Sequence, residues 1–161
     1  MAPNITYAPI GTVHSPYRDI QGMPIQPTGA KGVKGTLKLK DEYKDGLKDL
    51  DGFSHIIILY YFHLSEGYSL TVEPFLDKEE RGLFATRAPK RPNPIGLSIV
   101  KLLDVEGNTL EIEDVDVLDG TPLLDIKPYV PEFDHREVGS IGWLGKNSDK
   151  VTNKRSDDRF R

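Results

Sequence analysis

Apolar and polar positions along this chain fall into short runs broken by Gly, Pro, Asn and Asp, a pattern that predicts a mainly β protein. Ile5 to His14 is the first candidate strand. Val33, Gly35, Leu37 and Leu39 alternate with Lys34, Thr36, Lys38 and Lys40, the pattern of a half-buried strand with a basic outer face. Asp41 then offers an N-cap, and Tyr43, Leu47 and Leu50 recur at roughly helical spacing despite Gly46, so a short helix is expected before the Asp51-Gly52 turn. Ser54 to Phe62 is continuous and rich in Ile and Tyr, as expected of a strand covered on both faces. Leu70 to Phe75 and Gly82 to Thr86 are shorter candidates. The proline-rich stretch Ala88 to Pro94 cannot be an interior strand and must be a loop. Leu97, Ile99, Leu103 and Val105 mostly share one parity, as do Leu110 and Ile112 beyond Glu106-Gly107-Asn108, which predicts a β-hairpin. Val115 to Leu118 and Leu123 to Ile126 complete seven or eight short strands. That spacing suggests a single closed or nearly closed antiparallel β-barrel with one or two short helices.

Length fits one domain, since 161 residues is close to the ~150 typical of a single core. The barrel is assigned to residues 1–140 and a basic tail to 141–161; Lys146 to Arg161 carries six basic and three acidic residues and is expected to be mobile or to order on a partner. With 37% apolar and 29% charged residues the composition excludes a coiled coil, a collagen and a wholly disordered chain. The longest apolar run, Ile56 to Phe62, is far short of the ~20 residues of a membrane helix, and the N-terminus has no export pattern, so a cytoplasmic protein is expected. The absence of Cys excludes disulfides, a thiolate nucleophile and Cys-ligated zinc.

The net charge of −4 conceals an uneven distribution. Asp104 to Asp125 holds eight acidic residues and no Lys or Arg, whereas Arg81 to Lys101 holds Arg81, Arg87, Lys90, Arg91 and Lys101 and no acid. A local basic loop lets a weakly acidic protein meet a phosphate backbone. Other chemistries lack support. Gly29, Gly32 and Gly35 match neither a P-loop nor G-x-G-x-x-G. His55 and His63 would lie about 26 Å apart along a straight strand, no H-E-x-x-H is present, and no metal site is expected. There is no G-x-S-x-G nucleophile elbow.

Three segments carry information. In Ala85-Thr86-Arg87-Ala88-Pro89-Lys90-Arg91-Pro92-Asn93-Pro94-Ile95-Gly96-Leu97-Ser98 three prolines fix φ and bias their neighbours to extended geometry, giving a stiff cationic loop. In Asp119-Gly120-Thr121-Pro122-Leu123-Leu124-Asp125-Ile126-Lys127-Pro128-Tyr129 the first four residues read as a turn, and Asp125 and Lys127 share one face of the strand that follows. Pro24-Ile25-Gln26-Pro27 is another proline-bounded stretch, whose Gln26 both donates and accepts.

Together with Tyr17-Arg18 and Phe53-Ser54-His55 to Phe62-His63, these strings resemble the TrmO family (YaeB, TsaA-like, VirR) over most of residues 5–135. The resemblance implies a β-barrel methyltransferase that uses S-adenosylmethionine without a Rossmann fold. Its acceptor would be N6 of threonylcarbamoyladenosine at tRNA position 37, in the anticodon loop, and two subunits would pair with the cofactor near their interface. Carried over position by position, the cofactor site would use Pro24, Ile25, Gln26, His63, Leu64, Arg87, Leu97, Asp119, Gly120, Thr121 and Pro122. Two departures stand out. Ala88 replaces a common Ser, and the chain ends without the extra C-terminal domain of longer bacterial members, which bears on tRNA recognition.

For methyl transfer, positioning supplies much of the acceleration, and a group that takes the acceptor's proton helps. Asp125 and Tyr129 are the candidates, against the alternative that Asp125 is half of a surface ion pair with Lys127. Arg87 would hold the cofactor carboxylate, while Lys90 and Arg91 would meet RNA. Competing readings are a non-catalytic RNA-binding barrel and a barrel that binds an adenosine compound without turnover.

Overall fold

The computed structural model describes residues 2–21, 23, 27–74 and 78–146. Eight strands occur among them: β1 Gly11–His14, β2 Lys34–Leu39, β3 His55–Tyr61, β4 Thr71–Val72, β5 Arg81–Gly82, β6 Ile95–Glu106, β7 Thr109–Glu113 and β8 Thr121–Pro128. Six of them close an antiparallel barrel in the order β1-β2-β7-β6-β3-β8, with β8 returning to β1. β4 and β5 form a separate ribbon. One four-residue α-helix, α1 (Pro131–Asp134), and several 3-10 turns complete the described elements.

The core is the barrel interior. Val13, Leu37, Ile56, Ile58, Val100, Leu110, Ile112 and Leu123 are fully buried there. Strand β3 alternates: Ile56, Ile58 and Tyr60 are buried while Ile57 and Leu59 are half-buried and Tyr61 is exposed. It is therefore buried on its inner face and only partly covered on its outer face, not covered on both as its run of apolar residues suggested.

The β6–β7 hairpin forms as expected, with Leu110 and Ile112 of β7 facing inward, but the apolar parity at the start of β6 points outward. Gly96, Ser98, Val100 and Leu102 face the interior, whereas Leu97 and Ile99 lie on the outer face. A register shift between Leu102 and Asp104 reverses the parity, so that Val105 packs back against the core.

Three other expectations change. Strand pairing begins only near residue 10, and Ile5 and Tyr7 are exposed. The expected helix is a 3-10 segment, Asp41–Leu47, followed by Leu50–Gly52. Asp41 is its first residue rather than its cap, and the Asp41 carboxylate accepts from Asn108 Nδ2 at 3.0 Å. Val115 to Leu118 is not a strand: Val115, Asp116 and Val117 are buried consecutively, which a strand with alternating faces cannot achieve. This segment instead crosses the barrel mouth where β1, β3 and β7 end and β2, β6 and β8 begin. The two 3-10 segments Asp41–Leu47 and Leu50–Gly52 lie at the opposite end, with Leu47 in the core.

The acidic stretch does not form one face. Asp114 accepts from the Gly32 N–H at 2.7 Å, Asp116 is inside the barrel, Asp119 is at the mouth and Asp125 is on the outer face.

Candidate functional site

The turn entering β8 builds one side of the mouth. Gly120 occupies a left-handed conformation (φ 83°) between Asp119 and Thr121, and the Thr121 N–H and hydroxyl both donate to the Leu118 carbonyl, at 3.3 and 2.7 Å. The turn is thus Leu118 to Thr121, one residue earlier than the sequence suggests. It is tied to β1 by the Gly120 N–H on the Val13 carbonyl at 2.8 Å.

The Asp119 carboxylate receives the Ser15 N–H at 3.0 Å and faces Arg18 Nη1 at 3.2 Å and His14 Nδ1 at 3.4 Å. The Ser15 hydrogen bond, with the Arg18 charge and His14 adding to it against some desolvation, holds this carboxyl below the usual range. The mouth therefore presents a fixed anion at neutral pH.

The stiff loop forms the other side. Thr86 Oγ1 donates to the Leu83 carbonyl at 2.7 Å and accepts the Ala88 N–H at 3.2 Å. Arg91 Nη1 bridges the carbonyls of Thr86 and Ala88 at 3.0 and 2.9 Å, and its guanidinium lies 5.9 Å from the Phe84 ring centroid. Arg91 thus holds the loop that the sequence assigned it to present to RNA. Ala88 is buried with Leu83 and beside Val72, so its methyl belongs to a small satellite core. Arg87 is exposed at the mouth, and Lys90 lines an open cavity of about 580 Å³ with Glu66, Tyr68 and Glu73. The Phe62 N–H donates to the Pro94 carbonyl at 2.8 Å, which sets His63 and Leu64 beside the loop.

Beneath the mouth lies a feature the motif reading missed. Tyr60 Oη is 2.8 Å from Ser98 Oγ, and the Ser98 hydroxyl donates to Asp116 Oδ1 at 2.7 Å. Asp116 is 9% exposed, and burial, relieved partly by the Ser98 hydrogen bond and by the Arg87 charge, pushes its carboxyl up to about 6. Burial and the neighbouring Asp116 charge push the Tyr60 phenol up, and Arg87 acts against that shift as well. Gly96 makes the arrangement possible, because a Cβ there would overlap the Tyr60 ring and come 2.8 Å from the Phe62 ring. The sequence signal for the network is an acid between two valines, Val115-Asp116-Val117.

The expected site residues divide accordingly. His63, Leu64, Arg87 and Asp119 to Pro122 flank strand ends at the mouth, and Leu97 lies on the adjoining outer face, 46% exposed and paired with Leu59. Asp125 lies on the same face across Leu59 and pairs with Lys127 at 2.8 Å, raising the lysine's affinity for its proton. Tyr129 is at the other end, 6.5 Å from His55 ring to ring. From the start of β8 that is on the order of 25 Å within one chain at ~3.3 Å per residue. Pro24, Ile25 and Gln26 lie outside the described residues, as do Phe75 and residues 147–161 of the basic tail.

Comparison with known proteins bears on this site. Residues 12–135 match the family model of the tRNA-methyltransferase O N-terminal domain. A probable S-adenosyl-L-methionine-binding protein of Pyrococcus abyssi is 55% identical over 156 residues, covering 97% of this chain and 85% of that protein. The tRNA (adenine(37)-N6)-methyltransferase of Escherichia coli is 40% identical over 132 residues, 76% of this chain and 56% of that protein. A crystal structure of TrmO from Pseudomonas aeruginosa superposes with a TM-score of 0.74 at 36% identity, over 88% of this chain and 63% of that one. The chain therefore spans less than two thirds of those two longer bacterial proteins.

A closed antiparallel barrel with a stiff cationic loop and a fixed carboxylate at one mouth defines a small all-β barrel protein. Within that class, the chain belongs to the tRNA-methyltransferase O family, matching its N-terminal domain.

Proposed function

We propose that this protein is an S-adenosylmethionine-dependent methyltransferase acting on N6 of adenosine 37 of tRNA, with the threonylcarbamoyl-modified base in the anticodon loop as acceptor. The carrying observation is that the family domain covers residues 12–135, nearly the whole barrel, and that the residues the resemblance assigns to the cofactor, His63, Leu64, Arg87 and Asp119 to Pro122, flank strand ends at one mouth. The names of the relatives in Pyrococcus abyssi and Escherichia coli support both the cofactor and the acceptor.

The chemistry of the mouth fits the cofactor, whose bound sulfonium supplies an electrophilic methyl group. Arg87 holds its carboxylate, and the ionised Asp119 accepts from ribose hydroxyls or the amino group. Leu64 and Leu97, both exposed, would offer apolar surface to its adenine. Pro24, Ile25 and Gln26 complete the site in this reading. Asp125, on the face beside Leu97, is the group that takes the acceptor's proton, in preference to Tyr129. Lys90 and Arg91 meet the RNA backbone, Arg91 while also holding the loop, and tRNA places the protein in the cytoplasm.

Calorimetric titration with S-adenosylmethionine tests the reading. Saturable binding is expected, weakened about tenfold or more by Arg87→Ala through the loss of a charge-assisted contact, and wild-type protein should methylate tRNA bearing the modified adenosine. An absence of cofactor binding would overturn it. Binding without methyl transfer would favour the adenosine-binding alternative.

The same reading includes a homodimer. Tyr61, Leu59 and Ile57 pair with Ile95, Leu97 and Ile99 across β3 and β6, putting six apolar side chains on one outer face at the edge of the site. Such a patch suits a second copy of the chain. Ile99→Glu is expected to shift the mass in light scattering from dimer to monomer; an unchanged mass would exclude this face.

A further inference from the structure

Trp143 is the sole tryptophan of the chain and lies beyond the family domain, which ends at residue 135. It sits in the 3-10 turn Gly142–Lys146 and folds back onto the segment that carries Arg87. Its Nε1 donates to the Ala85 carbonyl at 2.8 Å, and the Arg81 guanidinium stacks 5.7 Å from its ring centroid. Ala85 ends the 3-10 turn Leu83–Ala85, two residues before Arg87.

The loop is thereby braced from two sides. Arg91 closes it from within through the carbonyls of Thr86 and Ala88, and Trp143 anchors its entrance through a carbonyl that the turn itself does not engage in any described bond. Arg81 adds a second point of attachment on β5, just ahead of the turn, where it also pairs with Glu79 at 3.2 Å. A ring and one hydrogen bond, both reaching the same five-residue segment, fix the direction in which the chain enters Thr86-Arg87. Such anchoring lowers the ordering cost of presenting the arginine to an anionic group.

We infer that Trp143 is a positioning residue for Arg87, a latch by which the segment after the barrel fixes the arginine loop in its binding geometry. The inference rests on the methyltransferase reading for its consequence, but the latch itself is a property of the free protein. Because the indole is the only one present, its emission reports the latch directly.

Two readouts on the full chain test it. In amide exchange, Trp143→Ala should speed exchange of residues 83–91, including the bonded amides of Thr86 and Ala88, while barrel amides keep their protection and the unfolding temperature stays within about two degrees. In titrations with S-adenosylmethionine, the wild-type emission should change with the same Kd that calorimetry gives. Trp143→Phe, which keeps a ring over Arg81 but lacks the N–H, should weaken binding about threefold, and Trp143→Ala about tenfold. In turnover, the cofactor KM should rise with kcat nearly unchanged.

Unchanged exchange in the loop overturns the latch whether or not the cofactor binds. Faster exchange with unaltered cofactor affinity overturns the positioning role. Failure of the wild-type protein itself to bind the cofactor would sink the methyltransferase reading and leave the exchange result to decide the latch.

Discussion

Gly96→Ala is expected to lower the stability of the barrel by about 2–3 kcal/mol, because a methyl group there must enter space held by two aromatic rings. The Tyr60 and Phe62 rings meet edge to face, with centroids 5.5 Å apart, and both lie against the Gly96 backbone. Neither can retreat easily, since Tyr60 is buried and its hydroxyl is bonded to Ser98. At roughly 2–4 °C per kcal/mol for a domain of this size, the unfolding temperature should drop by about 5–10 °C. The cause can be isolated with a double-mutant cycle. In a Tyr60→Val background the ring is gone, and the cost of the added methyl should shrink by about 1–2 kcal/mol. A Gly96→Ala protein that melts within a degree of the wild type would contradict the packing described. So would a penalty that is the same in both backgrounds.

Asp116→Asn is expected to stabilise the protein at neutral pH and to remove a pH dependence. The Asp116 carboxyl titrates near 6 in the folded protein, against 3.8 when exposed. Below 3.8 it is protonated in both states and contributes nothing. Between the two values the folded state keeps a proton that the unfolded state has lost, so stability falls as pH rises, and above 6 the cost is complete. Two pKa units correspond to about 3 kcal/mol. The Asn side-chain oxygen can still accept the Ser98 hydroxyl, so the variant should be about 2–3 kcal/mol more stable at pH 7, converging with the wild type near pH 4. Parallel melting curves from pH 4 to 8 would refute this. The Arg87 charge holds part of the rise in the Asp116 pKa in check.

The legible parts of the molecule were those whose signals are local. The β6–β7 hairpin, the loop Ala88 to Pro94 and the turn at Gly120 follow from parity, proline geometry and a glycine at positive φ, each set within a few residues. The motif strings likewise assign Arg87 and Asp119 to one cofactor site, an assignment that the proposed function uses. Their individual roles were less visible: Gly96 and Ser98 sit in the most distinctive motif, yet one accommodates a ring and the other links Tyr60 to Asp116 inside the barrel.

The misread elements share one physical cause. Leu97 and Ile99 were as apolar as any core pair, but a closed sheet has two faces, and a bulge near Leu103 decides which parity faces inward at each end of β6. Burial of Val115, Asp116 and Val117 in succession depends on six strand ends leaving a mouth to fill, which no window of sequence contains. Arg91 carried no sequence sign that its guanidinium also ties the loop through the Thr86 and Ala88 carbonyls, and Trp143 none that it reaches Ala85, 58 residues away.

The sequence by itself determined the strand and turn chemistry, the barrel class and the family, because periodicity, proline and glycine act through the chain's own dihedral angles. Only the tertiary structure decided inside from outside, and which polar groups lie buried together. Those depend on closure between residues far apart, where a Tyr, a Ser and an Asp 56 positions apart at their extremes become one hydrogen-bonded unit beneath the site.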